Sequence, residues 1–148
     1  MPRLALWNML IGFAALFFAA CAGAFVATDM TDAFVRDPAL LNTWSALIQR
    51  SAHGHVNLFC IIHIAFGLTL PYSVLGHRTK LLQTIGLSCG TFAMGPLMLW
   101  RAMAVPSEGI DFSGTIIGVF LSASLLALLG QVYALGVKLM RGRPTACG

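Results

Sequence analysis

Four long apolar stretches, separated by short polar ones, run along this chain. About 20 apolar residues carry a helix across a bilayer, and four stretches reach that length: residues 4–28, 52–75, 81–103 and 113–137. The pattern predicts an all-α integral membrane protein, a four-transmembrane-helix bundle built as a single domain. The first stretch, with Arg3 ahead of it and "FAAC" inside it, has some features of a cleaved leader. Its apolar run continues through Phe25 and Val26, so a retained helix is expected.

Composition agrees with this pattern. The 148 residues are 58% hydrophobic and 9% charged, with a mean hydropathy of +0.84. A soluble domain carries about 25% charged residues, and a chain so poor in charge could not cover a water-facing surface. The net charge of +4 is small and scattered, which argues against nucleic acid as a partner.

The charges sort by side. Arg3, Arg78, Lys80, Lys138, Arg141 and Arg143 fall on one side of the four spans, with no acid among them. Asp29, Asp32, Asp37, Glu108 and Asp111 all fall on the other, together with Arg36, Arg50 and Arg101. The positive-inside rule then places both termini and the "GHRTK" turn in the cytoplasm. The segments around 29–51 and 104–112 face outward, and the expected location is the bacterial inner (cytoplasmic) membrane.

Cys21, Cys60, Cys89 and Cys147 form no C-x-x-C pair, and free cysteine serves as a small apolar residue. Helices in lipid associate through small residues and interhelical hydrogen bonds. Gly114, Gly118 and Ser122 form a four-residue-spaced stripe expected to meet another helix, and Gly12 and "AACAGA" offer a second contact face. Pro96 inside the third span predicts a kink and frees the Phe92 carbonyl, which a neighbouring histidine or serine could satisfy. Pro71 should bend the second span near its cytoplasmic end. Asp111, or else Ser113, is expected to cap the fourth helix.

The candidate chemistry lies in "RSAHGHVNLFCIIH", residues 50–63, which holds three of the four histidines. Side chains advance about 100° per residue along a helix, so His53 and His55 point about 160° apart. They could share a metal only where the helix start is irregular, which Gly54 would permit. His55 and His63 lie about 80° and about 12 Å apart, too far for one metal. Cys60 and His63 share a face. His63 could bond a neighbouring helix, bind a ligand or relay protons. His77 lies across the membrane from His53 and His55, so one chain does not readily supply two histidines to a haem from separate helices. A histidine–methionine pair could use Met94, Met98 or Met103, and a site shared between chains is the other arrangement.

The stretch "SAHGHVNLFCIIHIAFGLTL" resembles the second helix of small four-helix membrane proteins of the haem–copper oxidase subunit I-like group. The match rests on His53, Gly54 and His55, followed by Phe59 and Gly67. The resemblance implies a low-spin haem b, or a metal ion, held from the outer half of the membrane by His55 or, second to it, His53. It also implies a place in electron transport. The later histidine-bearing helices of full-length oxidases are missing here, and with them the copper ligands and the opposing haem ligand. This chain is therefore not expected to reduce oxygen by itself.

These readings imply a small membrane subunit of a respiratory or other redox complex. Its expected partners are lipid together with other membrane subunits or further copies of itself. The cofactor-binding candidates are His53, His55, His63, Met94 and Met98, with His53 and His55 as metal ligands. Two alternatives stand beside it: a cofactor-free accessory subunit, and a small transporter or proton-relay protein using His63. The last lacks a carboxylate within a span and any evident inverted repeat.

Overall fold

A computed structural model describes residues 3–106 and 111–141; Glu108, Arg143 and Cys147, invoked above, lie outside them. Four helical segments are long and apolar enough to cross a membrane: Arg3–Arg36, Trp44–Tyr72, His77–Met103 and Phe112–Arg141. The first is α1 (Arg3–Arg36). The second is α2 (Trp44–Thr69), closed by a 3-10 turn at Leu70–Tyr72. The third is α3 (His77–Phe92), a π turn at Ala93–Leu97, then α4 (Met98–Met103), and the last is α5 (Phe112–Arg141).

The helices outrun the apolar stretches that predicted them. α1 continues through Asp29 and Asp32 to Arg36, and α2 begins at Trp44 rather than near Ala52. The expected loop at 29–51 shrinks to a short link holding the 3-10 turn Pro38–Asn42. Local chemistry sets these ends. Asp37 Oδ1 accepts the Ala39 N–H at 2.9 Å, and Pro38 provides a fixed φ at the start of the turn. Thr43 caps α2, its hydroxyl oxygen accepting the Ala46 N–H at 3.5 Å. Arg50 Nη2 donates to the Leu41 carbonyl at 2.7 Å and ties the link to α2.

Successive helices run antiparallel. Along α1 and α2, Gly23 meets His53, Gly12 meets Cys60 and Ile64, and Gly67 meets Ala5 and Met9. Along α3 and α5, Gly90 meets Ser124, Gly86 meets Ala123, and Gln83 meets Ala127. The interior positions of α5 are Ser113, Ile117, Ser124, Ala127, Gln131 and Ala134, a seam recurring in steps of three, four and seven residues, as one helix face requires. The core gathers Phe59, Phe66, Leu70, Leu87, Met94 and Ile117. Outward faces carry large apolar groups such as Phe17, Phe18, Phe25, Leu126, Leu129 and Val132. Large apolar groups on the outward faces, with small and polar residues such as Gly12, Asn8, Gly90 and Ser124 at the helix contacts, suit a bundle surrounded by lipid rather than water.

Two expectations about helix shape are met differently from their first form. Pro96 does break the α-helical pattern, as a π turn in which the Met98 N–H reaches the Ala93 carbonyl. Among the described residues no neighbouring histidine or serine bonds the Phe92 carbonyl; the wider turn absorbs the proline. Pro71 lies in the 3-10 turn that ends the second span.

The stripe at Gly114, Gly118 and Ser122 needs correcting. Gly118 and Ser122 are exposed, and a Cβ at Gly118 would meet nothing within 4 Å. Gly114 faces Arg101 and Asp111, not a helix backbone. Four-residue spacing put these residues on one face, and beyond Gly114 that face points away from the bundle.

At the acidic end, Asp111 caps α5 as expected. Its Oδ1 accepts the Gly114 N–H at 2.6 Å and its Oδ2 accepts the Ser113 hydroxyl at 2.9 Å. Arg101 reaches Asp111 at 3.6 Å, stacks 5.7 Å from the Trp44 ring centroid, and accepts the Trp44 indole N–H on its carbonyl at 3.4 Å. Replacing Asp111 by alanine should cost about 1 kcal/mol through the lost cap, measured as a lowered unfolding midpoint in detergent.

Candidate functional site

α2 carries His53, His55 and His63 in one uninterrupted helix. Gly54 lies inside that helix, more than two turns past its start, so the irregular opening that would let His53 and His55 share a metal is absent. The two rings have separate surroundings. His53 is half-buried against Gly23 of α1, and its Nε2 lies 3.1 Å from Asn57 Nδ2. His55 is exposed, with Nδ1 2.8 Å from the Ser51 carbonyl and 3.3 Å from the Ser51 hydroxyl.

The His55 contact fixes its chemistry. A carbonyl only accepts, so Nδ1 carries the proton and donates to Ser51. Nε2 is then the bare nitrogen, with no partner among the described residues. A histidine whose far nitrogen is held by a backbone carbonyl is in the state that metal-binding histidines adopt. Beside it, Arg50, Ser51, Gly54 and Leu58 line an open hollow of about 270 Å³. Nothing lies within 4 Å of a Cβ at Gly54, so a flat ligand could approach the helix there.

His63 is fully buried and has a different role. Its Nδ1 lies 3.2 Å from Asn8 Oδ1 on α1. Asn8 Nδ2 donates to Thr84 Oγ1 on α3 and to the Leu4 carbonyl, each at 2.9 Å. Those two contacts fix which way the Asn8 amide faces, so Oδ1 is an acceptor and His63 Nδ1 a donor. Thr84 passes its own hydroxyl proton to the Lys80 carbonyl at 2.9 Å. One directed chain of hydrogen bonds therefore joins α2, α1 and α3. His63 Nε2 is buried without a hydrogen bond among the described residues, beside the Leu87 backbone.

Sequence reasoning singled out His63 but missed its partners. It also missed two further interhelical bonds in the same half of the bundle. Gln83 Nε2 donates to the Ala127 carbonyl at 3.1 Å, and Gln131 Nε2 donates to Thr69 Oγ1 at 3.0 Å. The available signal was an amide inside the first, third and fourth apolar runs, at Asn8, Gln83 and Gln131, because amides buried among apolar groups require partners.

The methionines do not meet the histidines in the manner a shared ligand needs. Gly95 faces Val56, so antiparallel register puts Met98 near the depth of His53, whose ring is turned to Gly23 of α1. Met94 is buried in the core with Phe59 and Ile117, and Met98 packs at that core's edge. His63 sits by Leu87, about 10 Å along the axis from Met94. Among the described residues, no three or more histidine, cysteine, aspartate or glutamate side chains converge on one point.

The fold and this site define an all-helical chain with four helices suited to a membrane, with His53 and His63 of α2 turned to α1 and His55 exposed, one of its nitrogens held by Ser51. Compared with known proteins, the chain matches no family model, no curated protein and no solved structure.

Proposed function

We propose that this chain is a small four-span subunit of a larger membrane redox assembly, oriented with its basic end in the cytoplasm. In that assembly His55 presents a ligand nitrogen to a haem or metal ion shared with another chain. The observation that carries this reading is the state of His55: exposed on α2, Nδ1 held at 2.8 Å by the Ser51 carbonyl, Nε2 facing outward without a partner among the described residues. The bound group would supply electron transfer; this chain's part is to fix the ring's tautomer and orientation. Arg50, at the rim of the same hollow, would meet an anionic substituent. The resemblance of the His53–Gly54–His55 stretch to the haem–copper oxidase subunit I-like group supplies the redox assignment.

A cofactor-free accessory subunit is the second reading. It is favoured by the use of His53 and His63 in intrachain contacts and by the lack of a converging ligand group among the described residues. An absorbance spectrum with metal analysis, on protein purified with its native partners, separates the two. The first reading expects stoichiometric haem or metal that His55→Ala removes, while His77→Ala leaves it in place because His77 begins α3 at the opposite end. A native assembly with neither haem nor metal, or one indifferent to His55→Ala, refutes the shared-ligand role.

A further inference from the structure

One end of the bundle carries positive charge that nothing beside it answers. Arg3 opens α1, Arg78 and Lys80 lie in the first turn of α3, and Lys138 and Arg141 close α5. Lys80 is half-buried and the other four are exposed. Among the described residues no ion pair or hydrogen bond engages these five side chains. The acids of the sequence, Asp29, Asp32, Asp37, Glu108 and Asp111, all fall outside these segments. The cations of the opposite end are placed differently. Arg101 pairs with Asp111, Arg50 donates to the Leu41 carbonyl, and Arg36 stands next to Asp37.

Three helices bring the five cations to one level. Gln83 of α3 meets Ala127 and Gly130 of α5. His77 starts α3 six residues before Gln83, and Lys138 follows the two α5 partners by eleven and eight residues, so the two helix ends match within about one turn. Asn8 of α1 meets Thr84 of α3. Arg3 and Lys80 precede those residues by five and four positions, so Arg3 reaches the level of Lys80. Just inward come exposed amphipathic rings: Trp7, four residues after Arg3, and Tyr133, five before Lys138. Tyr72, the other tyrosine of the chain, is exposed where the second span ends. Further in, Leu10, Leu82, Ile85 and Leu129 expose bare hydrocarbon.

From this layering we infer that the basic end selects anionic phospholipids, with Arg3, Arg78, Lys80, Lys138 and Arg141 holding headgroup phosphates while the acyl chains lie on the apolar faces beneath. The order from cation through Trp and Tyr to hydrocarbon repeats the order of phosphate, ester and acyl chain in such a lipid. Trp and Tyr favour the headgroup level, and basic side chains beside a span attract acidic headgroups. An acidic protein segment would match the cations but not the rings and apolar faces that continue below them. The lipid site needs the membrane-spanning reading but not the cofactor role of His55.

Lipid selectivity of the full chain tests it. The chain is reconstituted in phosphatidylcholine vesicles with a trace of spin-labelled phosphatidylglycerol or of spin-labelled phosphatidylcholine, and electron paramagnetic resonance reads the immobilised fraction of each label. At low salt phosphatidylglycerol should associate several-fold more strongly, and about 1 M sodium chloride should remove most of that preference by screening. Arg78→Gln, Lys80→Gln, Lys138→Gln and Arg141→Gln together should bring the two lipids close to parity, whereas Arg36→Gln should change nothing; circular dichroism confirms that each variant is folded. Should the combined variant fail to fold, Lys138→Gln with Arg141→Gln must still lower the preference. Equal association of the two lipids with the unsubstituted chain overturns the site while leaving the membrane reading intact. A preference that survives both salt and the substitutions also overturns it. Inorganic phosphate should act no more strongly than chloride at equal ionic strength; a stronger effect assigns the cations to the free anion, and specific displacement by soluble polyglutamate assigns them to an acidic protein, each overturning the lipid site. Immobilisation of neither label overturns the membrane reading and this site with it.

Discussion

Gly90→Leu should abolish the folded bundle, whereas Gly118→Leu should leave the isolated chain as stable as before. At Gly90 even a Cβ would collide with the Ser124 hydroxyl and the Phe59 ring, and would come within 2.6 Å of Ser124 Cβ. The closest atoms belong to α5 and to a core ring of α2, so relief requires moving a helix rather than rotating a surface side chain. Inserting methylenes into a filled core costs about 1–3 kcal/mol and occasionally more, and here α3 and α5 must also separate along a seam carrying the Gln83–Ala127 bond. Gly90→Ala should fall between glycine and leucine. Unfolding in mixed detergent, followed by circular dichroism, should give that order. Equal midpoints for Gly90→Leu and Gly118→Leu would mean that α3 and α5 do not approach as described. A defect at Gly118 seen only in the native assembly would instead mark its exposed face as a contact with another subunit.

The second large effect is expected at Asn8. Asn8→Leu removes the bonds to His63 and Thr84 and leaves the His63 Nδ1–H buried without an acceptor. Interhelical hydrogen bonds in lipid average about 0.6 kcal/mol, with a maximum near 1.7, and an unpaired buried donor adds about 1–3 kcal/mol. The expected loss is therefore about 2–4 kcal/mol. Much of it belongs to the stranded histidine, so the double change Asn8→Leu with His63→Leu should cost less than the two single changes added together. Strict additivity would show that the two side chains do not interact.

Much of this architecture could be read from the sequence. Hydropathy located four helices long and apolar enough to cross a membrane, because it reports which side chains favour leaving water. It could not report where helices end, because backbone hydrogen bonding continues into water: α1 runs past Asp29 and Asp32 until Asp37 and Pro38 offer another geometry. The Asp111 cap was legible because capping is local. The π turn at Pro96 was legible as an interruption but not as a type. Pattern spacing showed that Gly114, Gly118 and Ser122 share a face, yet gave no information on what that face meets.

The site divides the same way. The angle between His53 and His55 follows from helix geometry and holds in the regular α2. The separate roles of the three histidines depend on residues far away in the chain. Asn8 lies 55 residues before His63, and Gly23 thirty residues before His53, so their partners follow from how α1 docks on α2. His55 is the exception, since Ser51, one turn back, sets its tautomer and was in view from the outset.

Orientation underlies the shared-cofactor reading, and labelling of single cysteines tests it directly. Ala39 lies exposed in the link before α2, and Thr79 lies exposed in the first turn of α3 at the basic end. With the unsubstituted chain as background, a membrane-impermeant maleimide should label Ala39→Cys in intact cells and reach Thr79→Cys only after permeabilisation. Labelling of Thr79→Cys in intact cells with Ala39→Cys protected would invert the protein in the membrane, and labelling of both would contradict the four-span arrangement itself.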